Sequence, residues 1–268
     1  MFDSFDREIT YLRISVTDLC NLRCTYCMPA GGVALRPRSE FLSYESVIEI
    51  ARAAAGLGIA KIRLTGGEPL VKKDIEALIR GLKTVPGVRE VALTTNGTLL
   101  APLAARLKAA GLDRINISLD TLDAAKYRDI TRGGDIRAAL RGIDTVLAAG
   151  FANTKINMVL IPGVNEVDVE EMAAFCRDKG LALQRIHHYS LRERGEAGDP
   201  MEAERPHACA RCNRIRLTAD GKLKPCLFSD AEVPVDLADI AASLTKAIRE
   251  KPARGRSCTV RGNWQIGG

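Results

Sequence analysis

From Met1 to Ser190 the apolar positions repeatedly change period. Alternating runs stand at "YLRISVT", "KIRLTG", "EVALTTNG", "RINISLD", "TKINMVL" and "LQRIHHY". Alternation in a short run marks a strand with two unlike faces. Between most of these runs apolar residues recur every three or four positions, in "SYESVIEIARAAAGLG", "KDIEALIRGLK", "LAPLAARLKAAG", "DIRAALRGIDTVLAAG" and "VDVEEMAAFCRDKG". Ser43 heads the first helix as an N-cap, and glycines close it. Strand and helix in strict alternation predict a parallel sheet with helices outside it. A closed eight-unit barrel needs about 250 residues, and here only six units fit. The expected fold is therefore α/β. A partial (β/α)6 TIM-like barrel spans residues 1–190, and a small C-terminal extension covers 191–268.

The strand faces carry a second message. Ile14 and Val16 oppose Arg13, Ser15 and Thr17. Ile62 and Leu64 oppose Lys61, Arg63 and Thr65. Ile115, Ile117 and Leu119 oppose Asn116, Ser118 and Asp120, and Ile156, Met158 and Leu160 oppose Lys155, Asn157 and Val159. A usual barrel interior is filled by Val, Ile and Leu. If the apolar faces here meet the helices, the interior is lined by Arg, Lys, Ser, Thr and Asn. Such a lining must be solvated or bound to something polar, because unpaired buried charge is costly. Reversed faces would put the polar side in water, but all four strands agree on the first arrangement.

Past Tyr189 the pattern breaks. "SLRERGEAGDPMEAERPH" reads as a polar linker. In "CARCNRIRLTADGKLKPCLFSD", "TADGK" is the turn of a hairpin. A helical pattern, "LADIAASLTKAIRE", then precedes a basic tail ending in Gly267 and Gly268.

Composition narrows the class. Apolar residues make up 46% of the chain and charged residues 27%, as in an ordinary globular protein. No apolar run is long enough to span a membrane, and "MFDSFDREIT" lacks the apolar region of a secretory signal. A cytoplasmic location without a membrane partner is expected. The net charge of +6 is scattered, with "KPARGR" the one basic block. It is read as a solvated surface rather than a nucleic-acid footprint. Eight cysteines in a cytosolic chain point to metal or cluster ligation before disulfides.

Three of them, Cys20, Cys24 and Cys27, form C-x3-C-x2-C directly after the first strand. A structural zinc ion wants four ligands. Soft thiolates suit an iron–sulfur cluster, and three on a cubane leave one iron for an outside ligand. A zinc knuckle or a redox pair is the alternative. Cys209, Cys212 and Cys226 form C-x2-C-x13-C, and His207 offers this second set a fourth zinc ligand. Cys176 lies in an apolar helical stripe and reads as core, whereas Cys258 has no assigned role. His187 and His188 end the sixth strand, where packing or hydrogen bonding is the commoner use of such residues.

The cysteine loop, followed one β/α unit later by "TGGEP" (Thr65 to Pro69), resembles the radical S-adenosylmethionine (SAM) superfamily. The resemblance implies that the open iron binds the amino and carboxylate groups of SAM, and that an electron from the cluster splits SAM to give a 5′-deoxyadenosyl radical. It also implies that Gly66, Gly67 and Glu68 grip the SAM amino group, that Ser118 contacts SAM and that Tyr26 lies near the adenine. Tyr189 stands near a position where the superfamily's relatives place a Met against SAM.

"RISVTDLCNLRCTYCMP", "KIRLTGGEPLVKKD", "LTTNGTLL", "RINISLDTLD" and "CNRIRLTADGKLKPCLF" together resemble the GTP 3′,8-cyclase family of molybdenum cofactor biosynthesis, over most of residues 7 to 230. That resemblance implies two [4Fe-4S] clusters, the second on Cys209, Cys212 and Cys226 with its open iron toward the guanine. Arg13, Lys61, Arg63, Thr94, Lys155, Arg214 and Arg216 would lie near GTP. Arg214, Arg216, Gly267 and Gly268 would serve catalysis. The implied partners are GTP, a low-potential electron donor and a downstream cyclic pyranopterin monophosphate synthase. A homodimer is compatible with the sequence. The linker and the segment after Cys226 look shorter than in typical members, which leaves a paralogue acting on another nucleotide or a peptide as the alternative. Retention of "NRIRLT" speaks against the peptide.

Overall fold

The structure, a computed structural model, describes residues 1–191 and 209–267. The first six strands are β1 (Tyr11–Ser15), β2 (Lys61–Thr65), β3 (Glu90–Thr95), β4 (Arg114–Ser118), β5 (Lys155–Leu160) and β6 (Ala182–His187). They pair in parallel in chain order. Between them run α1 (Tyr44–Gly56), α2 (Ile75–Lys83), α3 (Ala104–Ala109), α4 (Ala124–Thr131), α5 (Ile136–Ala148) and α6 (Val169–Asp178). Ser43 caps α1 by accepting from the Ser46 amide at 3.1 Å. Helix α4 was not expected: its "AAKYRDIT" is mostly polar and turns only Tyr127, Ile130 and Thr131 inward. Asp123 starts it by accepting from the Lys126 amide at 2.7 Å, an N-cap that satisfies one of the first free amides of the helix.

Beyond the linker come β7 (Arg214–Leu217), β8 (Lys222–Lys224), β9 (Val233–Pro234), α7 (Ile240–Arg249) and α8 (Asn263–Ile266). Strands β7 and β8 form the expected hairpin. Strand β7 also lies parallel to β1, on the side away from β2, so that Arg13 has Arg63 on one side and Arg216 on the other. The C-terminal segment thus continues the same open sheet, in the order β6-β5-β4-β3-β2-β1-β7-β8-β9.

The core lies between sheet and helices. Leu12, Ile14, Ile62, Leu64, Leu93, Ile115, Ile117, Ile156 and Met158 are fully buried there, each burial stabilising the fold by about 1.5–3 kcal/mol. Cys176 belongs to this core. A smaller core of Leu191, Leu227, Phe228, Cys258 and Ile266 holds the tail, which makes Cys258 a packing residue. Among the described residues no helix is long and apolar enough to cross a membrane.

Candidate active site

At the end of β1 the chain opens into the cysteine loop. Its first residues sit on the turn that follows β2. Gly67 N donates to Thr17 O and Glu68 N to Leu19 O, both at 2.8 Å. Only glycine allows this approach. Gly66 has a positive φ of 137°. A Cβ there would strike the Thr17 carbonyl, and one on Gly67 would lie 2.6 Å from the Leu19 carbonyl carbon. Further on, Cys24 O accepts from Cys27 N and Met28 N, each at 3.0 Å. The end of α4 straps the loop from outside: Arg23 N donates to Thr131 O, Thr25 N to Ile130 O, and Arg132 Nη1 to the carbonyls of Arg23 and Met28.

Cys20, Cys24 and Cys27 line one side of a cleft of about 950 Å³, mouth included. Burial raises all three thiols, Cys27 to about 12, because a low-dielectric surrounding disfavours the thiolate. Among the described residues no three Cys, His, Asp or Glu side chains converge as the ligands of one ion would. Three soft thiol donors on one cleft suit an iron–sulfur cluster.

Gly66, Gly67, Glu68, Tyr26, Ser118 and Tyr189, singled out in the sequence, all line the same cleft. Glu68 is buried. Its Oε1 accepts from Thr95 Oγ1 at 2.7 Å and Leu70 N at 3.0 Å, and its Oε2 from Asn96 N at 2.7 Å. Burial pushes the Glu68 carboxyl up to about 7 despite these bonds. Glu68 therefore steadies the turn. Tyr26 OH donates to Asp120 Oδ2 at 2.7 Å, while Asp120 Oδ1 accepts from Val159 N at 2.8 Å. Burial lifts Asp120 to about 6. Its role was not assigned from sequence, although it stands on the polar face with Asn116 and Ser118. Asn96, whose Nδ2 lies 3.8 Å from Cys20 Sγ, was also missed. His188 lines the cleft and meets Tyr26 edge-on, with ring centroids 6.3 Å apart. Tyr189 packs edge-on against Phe228.

The rest of the barrel interior is basic, as the alternation predicts. Register places Arg13 beside Arg63 and Arg216, Tyr11 beside Lys61 and Arg214, and Asn116 beside Lys155. Burial holds the Arg13 guanidinium well below its usual range, helped by Arg216, Arg63 and Arg214, with Tyr11 opposing. Lys155 is lowered by burial and by Arg114, Arg63 and Lys61. Arg63 donates to Tyr11 OH and, at 3.2 Å, to Thr94 Oγ1, which lines the cleft. Among the described residues, the inward faces of the strands set one carboxylate against these cations, Glu90, whose Oε1 lies 2.8 Å from Lys61 Nζ.

The second cysteine set flanks β7 and β8. Cys209 opens a single 3-10 turn, Cys209–Arg211, and Cys226 stands just past the end of β8. Arg7 Nη1 donates to Cys209 O at 2.8 Å. Burial alone would raise the Cys212 thiol, but Lys251 and Arg214 outweigh it and bring it to about 7. His207 lies outside the described residues.

The tail returns to the cleft. Arg261 grips Glu232 through Nε at 2.7 Å and Nη2 at 2.9 Å, and Asp220 through Nη1 at 2.9 Å. Beyond it, Arg216 Nη1 donates to Ile266 O at 3.2 Å and Gly267 O at 2.8 Å. Gly267 and Asn263 line the cleft. Gly268 lies outside the described residues. The fold thus brings the first cysteine set, the inward cations and Gly267 to one barrel, with the second set on the strand beside β1.

Residues 14–176 match the Radical SAM superfamily, and residues 184–255 match Molybdenum Cofactor Synthesis C. A GTP 3′,8-cyclase of Moorella thermoacetica is 40% identical over 94% of this chain and 94% of its own length. The chain belongs to the GTP 3′,8-cyclase family. A second GTP 3′,8-cyclase, from Geobacter sulfurreducens, is 42% identical over 86% of this chain and 84% of its own. The alignments to cyclases of Moorella and Alkaliphilus oremlandii run over 304 and 322 positions against 268 residues here, so these relatives carry tens of residues that this member lacks. Among solved structures, Streptococcus suis SuiB bound to S-adenosylmethionine superposes with a TM-score of 0.69 at 14% identity, over 92% of this chain and 65% of its own. The AdoMet-bound enzyme anSMEcpe gives 0.67 at 15%, over 91% and 81%. These two share the fold of the cyclase chain.

Proposed function

We propose that this chain is a radical SAM lyase, a GTP 3′,8-cyclase. The strongest support is the cationic barrel interior joined to a three-thiol cleft. Arg13, Lys61, Arg63, Lys155, Arg214 and Arg216 would seat an anionic ligand, and guanidinium groups bind phosphate oxygens strongly and in fixed geometry. A triphosphate is such a ligand.

Cys20, Cys24 and Cys27 would hold a [4Fe-4S] cluster. Tyr26, Gly66, Gly67, Ser118 and Tyr189 would frame SAM at the open iron. Cys209, Cys212 and Cys226 would hold a second cluster that presents an iron to the guanine. The cofactors, when bound, would supply a 5′-deoxyadenosyl radical to take the hydrogen from C3′ of GTP; closure of the C3′ radical onto C8, followed by uptake of one electron and one proton, would yield (8S)-3′,8-cyclo-7,8-dihydroguanosine 5′-triphosphate. The chain's own residues orient and enclose. Tyr26, held by Asp120, fixes one wall of the cleft. Arg216 holds the Gly267 carbonyl, so the tail lines the cleft of the first cysteine set. A low-potential donor in the cytoplasm would supply two electrons, one to cleave SAM and one to reduce the cyclised radical, and cyclic pyranopterin monophosphate synthase would consume the product.

Anaerobically reconstituted protein with SAM, reductant and GTP should form the cyclised triphosphate by mass spectrometry. It should hold about eight irons per chain as two cysteine-ligated cubanes, and Cys209→Ala should halve that, spare uncoupled SAM cleavage and stop cyclisation. SAM cleavage without any GTP product would favour a paralogue with another nucleotide substrate, the reading that the missing tens of residues support. Stoichiometric zinc in place of the second cluster would decide against the two-cluster assignment.

A further inference from the structure

Lys251 is a buried lysine, 2% exposed, and among the described residues no carboxylate pairs with it. Its ammonium has three protons to place. Nζ donates to Arg214 O at 2.8 Å and to Pro225 O at 2.9 Å. Arg214 lies just beyond Cys212, and Pro225 immediately precedes Cys226. One side chain therefore joins two segments of the second cysteine set.

The segment that presents Lys251 is fixed in turn. Arg7 donates through Nη2 to Pro252 O at 2.7 Å and through Nη1 to Ala253 O at 3.0 Å, while the same Nη1 holds Cys209 O. Its Nε is paired with Asp3 at 2.7 Å. Lys224, also buried, is different: it has Ser229 O at 2.8 Å and the Glu232 carboxylate at 3.5 Å. An interior ammonium without a carboxylate is costly unless another negative group faces it. The described partners of Lys251 are the two carbonyls beside Cys212 and Cys226, so a thiolate-bound group held there is the negative charge that would face it.

We propose that Lys251 is the positioning cation of the second cysteine set. It holds the segments that carry Cys212 and Cys226 in place for ligation, and as a buried ammonium beside them it raises the reduction potential of the group bound there. The sign follows from charge: reduction adds an electron, and a nearby ammonium stabilises the more negative state. This inference rests on the two-cluster reading above.

The test starts from a chain carrying Cys20→Ala, Cys24→Ala and Cys27→Ala, which leaves the second site alone. Anaerobic reconstitution should give about four irons per chain, and a redox titration followed by electron paramagnetic resonance gives its midpoint. Lys251→Met removes charge and donors; Lys251→Gln removes the charge and keeps two N–H donors on a side chain one bond shorter. Both should shift the midpoint negative and weaken iron retention roughly 10–100-fold, as loss of a supporting residue around a metal does. Lys251→Arg should bring the midpoint back toward the parent. Circular dichroism confirms folding, and if the Met variant does not fold, the Gln variant decides. A midpoint and iron content in Lys251→Gln equal to the parent's would overturn the proposal. A parent chain that binds no iron would instead refute the second cluster itself, and this inference with it.

Discussion

Replacing Gly67 by alanine tests how the cysteine loop is seated. The new methyl would lie 2.6 Å from the Leu19 carbonyl carbon and 2.8 Å from the Asp18 carbonyl oxygen, closer still to the Leu19 oxygen. All three atoms are backbone, so no side chain can swing aside. The loop must retreat by about 1 Å, and overpacking of this kind costs about 1–3 kcal/mol. The retreat also strains the bonds from Gly67 N to Thr17 O and from Glu68 N to Leu19 O, each worth about 0.5–1.5 kcal/mol. Together the loss is about 2–6 kcal/mol, a fall in melting temperature of about 4–11 °C for a chain of this size. Because Cys20 is the next residue after Leu19, SAM affinity should fall as well. Thermal unfolding by circular dichroism and isothermal titration with SAM read the two effects. Gly31→Ala is the control, since a Cβ there meets nothing within 4 Å. If Gly67→Ala melts like the control and binds SAM as tightly as the unmodified protein, the seating described here is wrong.

Arg63→Ala should weaken GTP binding roughly tenfold or more, in line with about 1.5–3 kcal/mol for a charge-assisted bond, while SAM affinity stays put; calorimetry with each ligand separates the two. In metal-free reduced protein, Cys212 should reach half-maximal alkylation near pH 7 and Cys27 only near pH 12, because the thiolate is the nucleophile. Peptide mapping under mildly alkaline conditions that found Cys27 labelled first would contradict this order. Glu68 has its carboxyl raised from 4.5 to about 7, so the folded state holds its proton longer. Its contribution is present below pH 4.5 and is lost as pH rises through 7, a decline of about 3 kcal/mol. Urea titrations across that range should show the slope, and Glu68→Gln should remove Glu68's share of it.

Much of the site could be read from the chain because strand alternation is local. Arg13, Lys61 and Lys155 were placed inside the barrel by the period alone, and the apolar residues opposite them are the core. The Ser43 cap and the β7–β8 hairpin were legible for the same reason. What the sequence hid depends on contacts between distant segments. Nothing near Arg214 says that β7 pairs with β1 rather than with β6. Arg7 and Lys251 look like ordinary surface charges until the fold brings backbone carbonyls around them. Asp120 had the right face, but the end of a strand before a helix also suits an acid as a cap, so its bond to Tyr26 could not be singled out.

The pairing of β7 with β1 has a consequence for how the chain is made. Most of the hydrogen bonds that seat the first cysteine loop come from residues no farther along than Arg132, whereas His188 and Asn263 reach Tyr26 only later. The second set needs Arg7 and Cys209, 202 residues apart, together with Lys251. At a synthesis rate of about 5–20 residues per second, roughly 10–40 s separate emergence of the first residues from that of Cys209. During that interval β1 has an open edge where β7 will later lie, a row of unpaired backbone groups that invites wrong partners. A chain stalled before Cys209 would carry the first cysteine loop beside one exposed strand edge.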